Sequence, residues 1–138
     1  MPVVTADRLM EVTRALLQKA GASAEEAATI ARYNIGANLV GHDSHGIILI
    51  PTYIDRIKAG HIVPGAPFDV KEQSPTTMVI DGNWGFGYVV TDRAMRMTID
   101  KARKQNVAAT TVFRQSHIGR LASYPLMAAR EGMISMLP

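Results

Sequence analysis

Between residues 60 and 67 the chain changes character. Gly60, Pro64, Gly65 and Pro67 fall within eight residues, and such a cluster interrupts both helical and strand pairing. Before it, apolar residues recur at helical spacing. After it, short β-branched runs alternate with turn-forming residues. The pattern predicts an α+β fold, with a helical region of three helices over residues 1–66. The start of a mixed α/β domain follows over 67–138, in the order β-β-α-β-α-β.

The helical half is marked by its ends. Thr5 can cap a first helix carrying Leu9, Val12 and Leu16 on one stripe, with Gly21 as its stop. Ser23-Ala24-Glu25-Glu26 reads as a capping box, because Ser23 and Glu26 can each satisfy the other's backbone N–H. The helix it starts runs through Ile30, Asn34 and Ile35 toward Gly41. A third helix, with Ile50, Ile54 and Ile57 in phase, starts at about Ile50, since Pro51 is tolerated only near a helix start.

In the second half, Phe68–Lys71 and Thr76–Ile80 read as strands around the turn residues Gln73-Ser74-Pro75. Asp81 to Gly87 holds three glycines and reads as a turn where φ is positive. A helix from about Val90 to Gln105 follows, with Asn106 as its left-handed end. Val107–Phe113 predicts a buried strand, and a helix through Leu121, Tyr124 and Ala128 comes next. Met133–Leu137 reads as a last strand with no polar end to protect an edge. That favours a chain that is part of something larger, or one that covers this strand by association.

Composition removes several functions. The chain has no cysteine, which excludes disulfides and thiolate ligands or nucleophiles. Its net charge of +3 comes from scattered Lys and Arg, unlike the clustered footprint of a nucleic-acid binder. No apolar run approaches the ~20 residues of a membrane span. With no signal-like N-terminus, the expected location is cytoplasmic.

Two polar junctions can carry chemistry. Gly41-His42-Asp43-Ser44-His45-Gly46 sets an imidazole, a carboxylate and a hydroxyl between two helices. Histidine titrates near neutrality and suits reversible proton transfer. Taken alone, His45 is as well explained by capping a helix end. His42, His45 and His61 could suggest a metal, but the glycines oppose a regular helix and no third-ligand pattern is present, so no metal site is assigned. Ser116-His117-Ile118-Gly119-Arg120 lies where a strand gives way to a helix, the place where α/β folds gather ligands. Arg120 could hold a carboxylate or phosphate there, or simply be solvated. Gly82, Gly85 and Gly87 are in the wrong order for a dinucleotide fingerprint.

Taken together, Gly41 to Gly46 with Pro51, Tyr53 and Gly60, then Ser116 to Leu121 with Tyr124, resemble the malate/L-lactate dehydrogenase family. These are non-Rossmann NAD(P)-dependent oxidoreductases, with ureidoglycolate dehydrogenase, sulfolactate dehydrogenase and diketogulonate reductase among them. The resemblance runs the whole length of the chain. It implies reversible hydride transfer between NAD or NADP and a 2-hydroxy acid/2-oxo acid pair. It also implies a sulfolactate dehydrogenase-like fold and a homodimer with the cleft near its interface. His45 matches the proton donor or acceptor, and His117 a second acid–base residue of the same cleft. Ser44, Tyr53 and Arg120 are then substrate-binding, and Ser116 and Gly119 cofactor-binding.

Two departures from the family pattern stand out. Leu49 occupies a position where many relatives carry an arginine for the substrate carboxylate, so Arg56 or Arg120 must substitute, the substrate must differ, or activity is lost. Family members are also more than twice this length, and most of their nicotinamide contacts fall beyond residue 138. The competing expectation is a truncated, catalytically silent member that serves as a binding or assembly module.

Overall fold

A computed structural model describes residues 3–138. The chain divides into two compact units, residues 1–65 and 66–138.

The first unit holds helices α1 (Ala6–Lys19), α2 (Ala24–Leu39) and α3 (Ile50–Lys58). Thr5 accepts a hydrogen bond from the Arg8 N–H at 3.3 Å, which satisfies one of the orphan donors of α1. The capping box at α2 is complete: Glu26 N–H donates to Ser23 Oγ at 3.2 Å, and Ser23 N–H donates to Glu26 Oε2 at 2.8 Å. The other oxygen of Glu26 accepts from the Gly65 N–H at 2.8 Å. Leu17, Ala27, Ile30, Ala31, Ile35, Ile50 and Tyr53 are buried. Two buried polar side chains, Thr13 and Asn34, have side-chain atoms without a hydrogen-bond partner; nothing else in the structure accounts for them.

The second unit is a three-stranded sheet in the order β1-β2-β3, with β1 Asp69–Gln73, β2 Thr77–Gly85 and β3 Ala109–Gln115. β1 pairs antiparallel with β2, whereas β2 and β3 are parallel. The parallel pair needs a crossover, which α4 (Gly87–Gln105) supplies. Met78, Ile80 and Ala94 form the buried centre, with Phe68, Val70, Met97 and Val112 packed on it. Asn106 ends α4 in left-handed conformation at φ 67°. A short α5 (Pro125–Arg130) follows a 3₁₀ turn at Leu121–Ser123.

Three expectations need correction. The glycine stretch at 81–87 is not a turn. β2 continues through it to Gly85, which pairs with Gln115. The left-handed residues there are Asn83 and Trp84, while Gly82, Gly85 and Gly87 are placed where a Cβ would press on neighbouring chain. β3 is not fully buried, because it is an outer strand. Its residues alternate in exposure, and Phe113 is 40% exposed.

Met133–Leu137 is not a strand, so the order is β-β-α-β-α. The Met133 N–H turns back to the Ala128 carbonyl at the end of α5, and no neighbouring strand offers this segment a ladder. It lies instead along an apolar groove of about 720 Å³ with Ala94, Thr98, Val112 and Ala128 on its walls.

Candidate functional site

In the first unit, α2 closes on Gly41 in the left-handed conformation, and the His42 N–H returns to the Ala37 carbonyl at 2.9 Å. The chain then makes two 3₁₀ turns, Asp43–His45 and Ile47–Leu49, before α3. Asn38, in the last turn of α2, holds this junction from both sides. Its amide Nδ2 donates to Asp43 Oδ1 at 2.6 Å, and its Oδ1 accepts the Ile47 N–H at 2.9 Å. Gly46 is buried against the same amide, where any Cβ would overlap it.

So fixed, the junction gathers His42, Asp43, Ser44 and His45. Ser44 Oγ lies 3.0 Å from His45 Nδ1. The His42 and His45 rings meet edge to face at 4.5 Å. His45 is half-buried, while His42, Asp43 and Ser44 are exposed. A serine on one ring nitrogen biases tautomer and orientation, leaving the imidazole chemistry to be expressed at Nε2. Leu49 is half-buried at the start of α3. Tyr53 is 2% exposed, so it is part of the core of this chain. Arg56 is exposed on α3.

In the second unit, the Ser116–Arg120 segment leaves the end of β3. Ser116 Oγ accepts the Gly87 N–H at 2.9 Å, and the Ser116 N–H donates to the Gly85 carbonyl at 3.2 Å. Gly87 opens α4 directly against this backbone; a Cβ there would overlap the Ser116 and His117 carbonyl oxygens. The Tyr88 and His117 rings stand nearly perpendicular at 6.3 Å. Gly119 has φ 76°, and its missing Cβ is the space taken by the Tyr88 ring. Tyr124 is buried and donates from its hydroxyl to the Ile118 carbonyl at 2.5 Å. Ile118 and Gly119 are thus held from two sides. Arg120 is half-buried.

Sequence reasoning missed the groups that fix this second junction. Asp81 is 0% exposed and accepts a two-point contact from Arg114, one arm of it at 2.9 Å. Asn83 joins them, its N–H donating to Asp81 Oδ1 at 3.0 Å and its Oδ1 accepting from Arg114 at 3.1 Å. The Arg114 guanidinium and the Asn83 N–H hold the Asp81 carboxyl down at about 2, against the opposing effect of burial. Asn83 and Lys71 likewise lower Asp69. Only the acid–glycine pair at 81–82 hinted at this in the sequence.

The described residues include no group of three or more His, Cys, Asp or Glu that could hold a metal ion, and no helix long and apolar enough to cross a membrane.

Comparison with known proteins extends what the geometry suggests. The chain is 36% identical over 130 residues to malate dehydrogenase from Pyrococcus abyssi, an alignment covering 94% of this chain and 36% of that protein. It is 32% identical over 131 residues to hydroxycarboxylate dehydrogenase B of Escherichia coli, covering 95% of this chain and 36% of the relative. The fold superimposes on sulfolactate dehydrogenase from Methanocaldococcus jannaschii with a TM-score of 0.92 and 32% identity, covering 94% of this chain and 38% of that one. The chain therefore spans a little over a third of the length of these relatives. The family model for malate/L-lactate dehydrogenases matches residues 4–137. On that near-complete match, the chain belongs to the malate/L-lactate dehydrogenase family.

Proposed function

We propose that the chain supplies proton-transfer and substrate-orienting residues to an oxidoreductase acting on a 2-hydroxy acid/2-oxo acid pair with NAD or NADP. The observation that carries this reading is the Ser44–His45 contact at 3.0 Å, on a junction that Asn38 locks in place. An oriented imidazole is what reversible oxidation of an alcohol requires, because the hydroxyl proton must leave as the carbon loses hydride. In the oxidative direction His45 takes the hydroxyl proton; in the reductive direction it returns one to the carbonyl oxygen. Bound nicotinamide supplies the hydride acceptor or donor.

His117 serves as the second acid–base group, and Ser44 and Tyr53 orient the substrate. Arg120 holds the carboxylate in place of the cation absent at Leu49, since a guanidinium can grip a carboxylate at two points. Ser116 and Gly119 are the cofactor contacts on this chain. A hydroxyl beside a guanidinium is a donor set suited to an anionic group, so residues 116–120 fit a phosphate-bearing cofactor in chemistry. Gly119 contributes through its backbone, as its side-chain space belongs to Tyr88. The working form in this reading is a cytoplasmic homodimer.

Leu49 favours a second reading, in which the chain is a catalytically silent family member acting as a binding or assembly module. Titration with NADH and NADPH, followed by nicotinamide fluorescence, separates the two. Binding below millimolar concentration is expected of the enzyme, and its absence there overturns stand-alone catalysis. Where cofactor binds, His45→Ala should abolish oxidation of 2-hydroxy acids without unfolding the protein. Unchanged turnover would refute the role of His45.

A further inference from the structure

Three non-glycine residues hold left-handed backbone where β2 and β3 fall out of step: Asn83 at φ 46°, Trp84 at φ 61° and Arg114 at φ 49°. Side chains adopt this region at a cost, and it persists only where the surroundings over-determine it. The register shows the irregularity. Asp81 pairs with Phe113, and the next pair is Gly85 with Gln115, so four steps along β2 match two along β3. Without a tie, β3 could slip here by one residue, and a slip turns every following side chain to the other face.

The tie is made of side chains. Arg114 reaches back across the irregularity to both oxygens of Asp81 and to Asn83 Oδ1. Asn83 is anchored in turn by its N–H to Asp81 and by its amide to Asp69 Oδ2 at 3.1 Å. Directly after Arg114, Gln115 accepts from the Thr91 hydroxyl at 2.9 Å and Ser116 accepts from the Gly87 N–H at 2.9 Å. His117 follows. We propose that Asp81 and Arg114 are positioning residues, whose two-point ion pair fixes the register of the end of β3 and so the orientation in which His117 is presented. This rests on the reading of His117 as an acid–base group.

The test uses the 138-residue chain, whose four histidines give four resolvable imidazole Cε1–H signals in NMR. Arg114→Gln should shift or split the His117 signal and leave His42, His45 and His61 unmoved, with circular dichroism matching the parent. Arg114→Lys keeps the charge but not the planar fork, and should give an intermediate disturbance. Arg114→Gly relieves the left-handed backbone and removes the tie, so it should disturb His117 as Gln does. An unmoved His117 signal in folded Arg114→Gln overturns the proposal. So does movement of all four histidines together, or a Gly variant with His117 undisturbed, which would make backbone strain the determinant. The functional reading fails separately, through unchanged turnover in His117→Gln.

Discussion

At residues 41–46 the chain is held by a side chain: Asn38 reaches Asp43 on one side and Ile47 on the other. At residues 114–120 the holding is done mainly by backbone packed on backbone, with Gly87 lying against the carbonyls of Ser116 and His117. The first junction leaves His42, Asp43 and Ser44 exposed, whereas the second has its flanking Asp81, Gly87, Tyr88 and Tyr124 buried. A side-chain clamp can rotate away and re-form, while a backbone contact has no alternative rotamer. The two histidines are therefore presented with different tolerance. Small perturbations should loosen His45 and leave His117 either in place or lost with its unit.

That contrast can be broken most forcefully with Gly87→Ala. The added methyl meets two carbonyl oxygens that cannot rotate aside, so the second unit should lose about 3 kcal/mol or more, at the upper end of overpacking costs. Urea unfolding should show the loss, and a stability within error of the parent would contradict the backbone-contact account. Gly46→Ala sharpens the comparison, since its methyl meets only the Asn38 amide. That side chain can move, and the cost should match that of Asn38→Ala, about 1–2 kcal/mol for two hydrogen bonds. If Gly46→Ala proves as damaging as Gly87→Ala, the distinction between the junctions fails.

Acid should act on the second unit first. Asp81 binds its proton less readily folded than unfolded. Its contribution is thus fully present above the ordinary carboxyl value of about 4 and is lost as pH falls toward about 2. Tryptophan fluorescence follows this directly, because Trp84 is the one tryptophan and lies in the β2 irregularity. Its signal should change across that window and do so less in Asp81→Asn. The smallest effect belongs to Ser44→Ala. Ser44 is exposed, so stability should change by less than about 0.5 kcal/mol. The titration of His45, followed by NMR, should nonetheless shift with loss of the hydroxyl at Nδ1.

The helices were legible because their signals are local. A capping box, a proline in the first turn and a glycine after the last turn each act within four residues, and Ser23, Pro51 and Gly41 took those places. The end of β2 was not legible. Gly82, Gly85 and Gly87 look like a turn until β3 and the Ser116–His117 backbone lie against them, and that approach joins residues about thirty apart. The Asp81–Arg114 pair spans 33 positions and leaves no spacing pattern to read. The Met133–Leu137 segment misled in the opposite sense. It is apolar enough for a strand, but a strand also needs a neighbour with unpaired backbone, which composition does not register.

The double use of Glu26 has a consequence for how the first unit assembles. One carboxylate closes the N-terminus of α2 and also captures the Gly65 N–H, 39 residues further along. Closing a loop of that length costs chain entropy that grows only slowly with length, so a contact at its far end can trap nearly all of it. Glu26 thereby makes the formation of α2 and the docking of the 60–65 connector a shared event. A protease that cuts near Gly65 should accordingly report on the start of α2: in Glu26→Gln, cleavage there should speed up before any helix content is lost.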